Sequence, residues 1–193
     1  MLAASPPALR RLIRIGLLTG FRRQELAFLR ADDIDFERGT VSVAACFSKN
    51  GEARTIPMGT RLQRLLREAL ALRGDASTVL VTDAGLPWTP RGITAAFQRL
   101  CKGLELGVMG PHVMRHTFAS RLVMAGVDLR TVQELMGHKT IEMTMRYSHL
   151  SPDHKRAAMA TLEQRFAGWS PATFHNTPLT GEVIVEKKYT AIQ

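Results

Sequence analysis

The sequence predicts a mainly helical α+β fold with a small antiparallel three-stranded sheet. Apolar residues recur at helical spacing along most of the chain, and one region alternates β-branched residues on either side of an Asn-Gly turn. With 193 residues and 45% hydrophobic content, the chain can bury a core as one domain, or as one domain with an appendage.

Three helices are predicted in the N-terminal half. The first carries an apolar face opposite Arg10, Arg11 and Arg14; this face comprises Leu9, Leu12, Ile13, Gly16 and Leu17. The second begins near Arg22. The third, marked by leucines between 62 and 70, ends at Gly74, because glycine readily adopts the left-handed conformation that closes a helix.

Helix boundary residues predict five further helices. The predicted starts are Thr89-Pro90, Pro111, Asp128, Thr140 and Ser151-Pro152. Gly126 and Gly137 end two of these helices, and the last one extends to about Arg165.

One region predicts a sheet. The stretch TVSVAACF (40–47) is followed by ARTIPM (53–58) across Asn50-Gly51, a strong hairpin signal. The late stretch GEVIVEKKY (181–189) is expected to add a strand, and residues 168–181 resemble a flexible linker.

The charge favours a polyanionic partner. Lys and Arg number 26 against 17 Asp and Glu, a formal net charge of +9, which favours nucleic acid first and an anionic membrane surface second. The membrane is the weaker alternative, because no helix combines a basic face with a strongly aromatic one.

Cys46 and Cys101 do not form a disulfide framework, so we expect reduced cysteines and a cytoplasmic location.

The stretch HVMRHTFAS (112–120) concentrates cationic chemistry on one helix. His112, Arg115 and His116 share a face by their i, i+3 and i+4 spacing, and the helix start favours an anion. Alternatively, a histidine is a satisfied core group and Arg115 pairs with a carboxylate. A zinc site at His112 and His116 is disfavoured, because there is neither an HExxH motif nor a cysteine cluster.

Three other stretches carry reactive side chains. In TGFRRQEL (19–26), a sharp turn projects Arg22 or Arg23, and Glu25 can hold the helix or its arginine. Lys49 precedes Asn50-Gly51 at the hairpin tip. In LMGHKTIEMTMRYSHL (135–150), His138 and Tyr147 lie beyond a helix end. Taken singly, each also fits an ordinary surface or half-buried residue, and a tyrosine nucleophile needs activation because its usual pKa is about 10.

The order of these stretches resembles the tyrosine recombinase family, also called phage integrases. The resemblance runs from about Pro6 to about Arg165, and the sixteen-residue box ending at Leu150 is its most specific part. A small departure is Met114, where the family usually has leucine. The resemblance implies a tyrosine-recombinase-like catalytic domain.

The resemblance also implies roles for named residues. Tyr147 attacks a DNA phosphate and leaves a 3′-phosphotyrosyl link, while Arg22 and Arg115 clamp the phosphate oxygens. Lys49 protonates the leaving oxygen, and His112 and His138 donate hydrogen bonds or deprotonate Tyr147. Glu25 and His116 are supporting residues that orient their neighbours, and neither a metal nor another cofactor is expected.

The expected organisation is a catalytic domain over residues 1–166 and a C-terminal tail over residues 167–193, without the family's N-terminal core-binding domain. The expected partners are double-stranded DNA and further copies of the chain, which form a tetramer on DNA from free monomers.

Three alternatives remain: a type IB topoisomerase, a catalytically decayed DNA-binding module and a metal-dependent nuclease. The spacing and residues of the 135–150 box argue against the topoisomerase. The presence of all six catalytic candidates argues against the decayed module, and the lack of clustered carboxylates argues against the nuclease.

Overall fold

The computed structural model describes residues 1–43, 53–107, 109–150 and 154–166, with side chains described in the last range only from residue 159. The chain forms two compact units, Met1–Pro152 and Asp153–Gln193. Within the described residues, no helix has both the length and the apolar character needed to cross a bilayer.

Two helices and a turn form the N-terminal part. Helix α1, Pro7–Thr19, has proline at its start, and the backbone N–H of Ala8 donates to the Asp83 carboxylate at 2.9 Å. Gly20 ends α1 with a positive φ of 64°. Helix α2, Arg23–Ala27, begins as predicted near Arg22, and a 3-10 turn follows at Ala31–Asp33.

The sheet has three antiparallel strands in the order β1-β2-β3. Strand β1 spans Ile34–Asp35, β2 spans Thr40–Val43 and β3 spans Arg54–Pro57, with Val41 opposite Ile56. The sequence did not predict β1, because two residues are too few to show alternation. The predicted strand at 181–189, the linker at 168–181 and the turn at Asn50-Gly51 lie outside the described residues.

The remaining helices agree closely with the predicted boundaries. They are α3 Thr60–Leu72, α4 Pro90–Gly103, α5 His112–Met124, α6 Leu129–Met136, α7 Glu142–Met145 and α8 His154–Phe166, with a 3-10 turn at Ser148–Leu150. The Thr89 hydroxyl accepts from the Gly92 N–H at 2.9 Å, and the Asp128 carboxylate accepts from the Thr131 N–H at 2.8 Å, which confirms both predicted caps.

Two apolar clusters stabilise the first unit. The larger joins α1, the sheet, α3 and α4 around Phe21, Leu66 and Phe97, and it includes the free thiol of Cys101. The smaller surrounds Phe118 and contains Tyr147. A Cβ added at Gly20 would lie 2.4 Å from the Phe118 ring, so glycine allows the end of α1 to approach α5. This packing brings the segment before α2 beside the first turns of α5.

Candidate active site

An open cleft of about 770 Å³ collects most of the predicted site residues. Helix α5, the end of α6 and helix α7 contribute most of its lining. The lining residues are Arg22, His112, Arg115, His116, Met136, His138, Lys139, Glu142, Met143, Arg146 and Tyr147.

Arg22 is held at the cleft by a carboxylate and a helix end. Its Nη1 donates to Glu25 Oε1 at 2.8 Å, and its Nη2 donates to the Gly137 carbonyl at 3.0 Å. The other Glu25 oxygen accepts from the Arg22 backbone N–H at 2.6 Å. Glu25 therefore fixes both the start of α2 and the guanidinium that precedes it.

Arg115 is buried, with 8% of its surface exposed. Its Nη1 donates to the Gly20 carbonyl at 2.6 Å, and its Nη2 donates to the Met136 carbonyl. Burial lowers the pKa of Arg115 to about 9, and the nearby positive charges of Arg22 and Arg54 contribute to this shift. The guanidinium still keeps its charge at neutral pH. Within the described residues no carboxylate forms an ion pair with it, so the carboxylate partner considered from sequence is not observed.

His138 follows the left-handed Gly137 at the end of α6. Its Nδ1 lies 2.8 Å from the hydroxyl of Thr144, a fully buried residue of α7. Burial lowers the pKa of His138 to about 4, and Arg115, Arg22 and Arg54 act in the same direction. His138 is therefore neutral at physiological pH, and its Nδ1 is occupied by the Thr144 hydroxyl.

Tyr147 is 5% exposed and belongs to the smaller apolar cluster. Its hydroxyl lies 2.7 Å from His116 Nδ1, and the two rings are tilted by 50°. Burial raises the pKa of Tyr147, although Arg146 and Arg115 oppose this shift. Burial and the neighbouring cations lower the pKa of His116, which favours a neutral imidazole beside the phenol.

The family resemblance left two roles open for His112 and His138, which are hydrogen bonding to the phosphate and deprotonation of Tyr147. In the structure His116 is the histidine in hydrogen-bond contact with the Tyr147 hydroxyl. His112 lines the cleft from the exposed start of α5. Arg23 instead donates to the Thr94 hydroxyl at 2.8 Å, so Arg22 is the arginine of the pair that lines the cleft. Lys49 lies outside the described residues.

Two residues with clear contacts at the site were not identified from the sequence. Arg54, in β3, holds Glu25 through two hydrogen bonds, and Thr144 holds His138. Both resemble ordinary residues in sequence, since one lies in a short strand and the other in a polar helix. The proline and β-branched residues around Arg54 indicated a strand but gave no sign of its partner.

The arrangement is suited to binding an anion. Two guanidiniums, Arg22 and Arg115, are anchored to consecutive carbonyls, those of Gly137 and Met136, and the histidines that accompany them can donate hydrogen bonds. A search of the described residues finds no group of three or more His, Cys, Asp or Glu side chains placed to hold a metal ion.

Comparison with known proteins assigns this chain to a family. The model of the phage integrase family matches residues 3–154. A Tyrosine recombinase XerC of Oceanobacillus iheyensis is 34% identical over 160 residues, which cover 78% of this chain and 52% of that protein. A XerC of Roseiflexus castenholzii is 37% identical over 142 residues, covering 69% and 44%. The chain thus spans about half the length of the curated relatives it matches.

Solved structures with the same fold include DNA complexes. The catalytic domain of bacteriophage HP1 integrase matches with a TM-score of 0.64 and 28% identity, covering 87% of this chain and 92% of that chain. The Tn1549 transposon integrase in complex with a circular intermediate DNA matches with a TM-score of 0.66 and 28% identity, covering 79% and 58%.

Proposed function

The chain belongs to the phage integrase family, and on this premise we propose that it is the catalytic domain of a site-specific DNA recombinase. It cleaves and rejoins DNA strands through a 3′-phosphotyrosyl intermediate. The observation that carries the proposal is the pair of guanidiniums, Arg22 and Arg115, fixed side by side in the cleft that also contains Tyr147. Two adjacent cations favour an anion between them, and a phosphodiester supplies a negative charge and two oxygens that guanidiniums bind.

Strand cleavage is a phosphoryl transfer from an oxygen of DNA to the tyrosine. The Tyr147 oxygen forms a bond to phosphorus, and the bond between phosphorus and the 5′-oxygen breaks, with the electron pair leaving on that oxygen. His116 is placed to receive the phenol proton, because its Nδ1 already contacts the hydroxyl at 2.7 Å. Lys49 supplies the proton to the departing 5′-oxygen, a role that rests on the family resemblance.

Rejoining reverses these steps. The 5′-hydroxyl of a DNA strand attacks the phosphotyrosyl phosphorus and releases Tyr147, so the number of phosphodiester bonds is conserved without ATP. Arg22 and Arg115 stabilise the charge on the non-bridging oxygens, and His112 and His138 donate hydrogen bonds to them. Because burial keeps His138 neutral, it donates through the nitrogen that Thr144 does not occupy.

The remaining expectations are part of the same proposal. Double-stranded DNA is the substrate, in keeping with the Tn1549 integrase structure, which contains DNA. The catalytic domain extends over residues 1–166 and the C-terminal tail over residues 167–193, and the segment after Tyr147 docks on a neighbouring copy when four copies assemble on DNA. The protein acts in the cytoplasm, without a metal or another cofactor. Sedimentation of the chain with a two-site duplex tests assembly, and a complex containing one copy per duplex would contradict it.

A nicked DNA library tests the cleavage chemistry directly. Each duplex carries randomised sequence around a nick, so that cleavage releases a short fragment and traps the covalent adduct. The chain is incubated with this library in EDTA at low salt, and protein-linked DNA is recovered after denaturation and sequenced. We expect a tyrosine-linked adduct with a preferred sequence, whereas random sequences would favour a topoisomerase-like activity.

Tyr147→Phe is the decisive variant. It removes the attacking oxygen but preserves the ring that packs in the smaller apolar cluster, so the fold and DNA binding are expected to persist. The adduct is expected to disappear. An adduct of unchanged yield in Tyr147→Phe would assign the chemistry to another residue and refute the proposal.

A further inference from the structure

Arg54 occupies an unusual position for a strand residue. Its Nη1 and Nη2 donate to the two oxygens of Glu25 at 3.0 and 2.6 Å, across 29 residues of sequence. Both side chains are almost fully enclosed, with 9% and 1% of their surfaces exposed. The arginine does not line the cleft, yet it touches the carboxylate that holds Arg22.

Two further contacts fix the Arg54 guanidinium. Its Nε donates to the Leu135 carbonyl at 3.2 Å, and its centre lies 5.5 Å from the Phe21 ring. Gly137 leaves room for it, because a Cβ there would lie 2.9 Å from Arg54 Cδ. Arg54 therefore links its own strand, β3, to the start of α2 and to the end of α6. Arg22 lies at the first of these helix ends and His138 follows the second.

The charges explain why Glu25 needs two arginines. A carboxylate paired with Arg22 alone would cancel the charge that the phosphate requires. With Arg54 bound to both oxygens of Glu25, the three groups together retain one net positive charge. Because the effective dielectric of an enclosed site is low, the electrostatic interaction between Arg54 and Glu25 is stronger than it would be in water.

We propose that Arg54 is a positioning residue that neutralises Glu25, so that Glu25 orients Arg22 without cancelling its charge toward the phosphate. This inference rests on the proposed function, since it assigns a role in the same cleft. It goes further by stating that the catalytic charge of Arg22 depends on a residue that contacts no substrate.

A double variant distinguishes charge compensation by Arg54 from a purely structural role. Arg54→Met leaves Glu25 buried with Arg22 as its single cationic partner, and we expect adduct formation on a nicked substrate to slow about 100-fold. Glu25→Gln in the Arg54→Met background removes the negative charge that needed compensation, and cleavage is expected to recover about 10-fold. If Arg54 mattered only for packing, the double variant would lose more contacts and cleave no faster.

Two measurements separate this effect from misfolding. Thermal unfolding and DNA affinity are recorded for Arg54→Met, the double variant and Arg54→Lys, which keeps the charge but not the two-pronged contact. A methylphosphonate at the scissile position carries no negative charge, so loss of Arg54 is expected to slow its cleavage less than about 10-fold. An equal loss on phosphate and methylphosphonate would overturn the electrostatic role.

Inorganic phosphate provides a test that does not depend on recombination. If the parent chain formed no adduct, the proposed function would fail. The role of Arg54 in anion binding by Arg22 would still be tested by the Nε–H NMR signal of Arg22. Phosphate is expected to shift this signal in the parent chain and in the double variant, but much less in Arg54→Met. The same phosphate response in Arg54→Met and the parent would refute the role of Arg54.

Discussion

The two sides of the cleft are built differently. On the arginine side, Arg22 and Arg115, together with Arg54, which supports this side without lining the cleft, each donate at least two side-chain hydrogen bonds to a carboxylate or to a main-chain carbonyl. On the tyrosine side, helix α7 has only four residues, and the Tyr147 hydroxyl is held through the exposed His116. The arginine groups are fixed before a substrate arrives. The Tyr147 ring is packed in the smaller apolar cluster, but its reacting hydroxyl is held by one hydrogen bond, to the His116 side chain.

The difference indicates how the work is divided between the sides. Groups that stabilise transition-state charge act best when they need no rearrangement, and the arginine side meets this requirement. The nucleophile instead depends on proton transfer, because the Tyr147 hydroxyl has to give its proton to His116 as its oxygen bonds to phosphorus. Variants of the arginine side are therefore expected to change charge stabilisation, and variants of the tyrosine side to change proton transfer and alignment.

Apart from removal of the nucleophile itself, the largest effect is expected on the arginine side. Arg115→Ala removes a buried cation with two main-chain contacts, and adduct formation on a nicked substrate is expected to slow about 1000-fold. Arg23→Ala is the matched control, since Arg23 contacts Thr94 and not the cleft, and it is expected to slow cleavage less than about 3-fold. Similar losses in both variants would show that general positive charge matters more than placement.

The next effect concerns proton transfer on the tyrosine side. His116→Phe keeps a ring beside Tyr147 but removes the acceptor, and cleavage is expected to slow about 100-fold. In the parent chain the rate should fall as the pH drops through the pKa of His116, which lies below 6.5, because a protonated Nδ1 accepts no proton. His116→Phe should lose this inflection, and the exposed His149→Phe should retain it. An unchanged pH profile in His116→Phe would assign the base elsewhere.

A smaller effect is expected from the contact that joins the two sides. Thr144→Val preserves shape but leaves His138 Nδ1 without its hydroxyl partner, and cleavage is expected to slow about 10-fold. Thr117→Val is the control, because the Thr117 hydroxyl bonds to a carbonyl of its own helix. Single-turnover rates compare the two variants, and equal rates would show that His138 needs no such support.

The two sides also differ in how far the sequence could predict them. Periodicity and caps identified each α-helix of the described residues, because local propensity and burial act over a few residues. Motif order named six of the eleven residues that line the cleft, which are Arg22, His112, Arg115, His116, His138 and Tyr147. The partnership of Arg54 with Glu25 did not follow from motif order, since pairing across 29 residues depends on tertiary packing and leaves no local pattern. The contact of Tyr147 with His116 also depends on how α7 docks on α5.

The smallest expected effect is a pH dependence of stability due to His138. In the folded chain its pKa is about 4, below the 6.5 of an unperturbed histidine, so the unfolded chain binds a proton more readily between these values. The free energy of unfolding should therefore fall as the pH decreases from 7 to 5, on the order of 1 kcal/mol after allowance for partial solvent screening. Urea unfolding at both pH values measures it. The Glu25 pKa is lowered from 4.5, so its contribution is lost only at lower pH. His138→Gln should flatten the dependence while His149→Gln, an exposed control, should not, and a parent-like slope in His138→Gln would exclude His138 as its source.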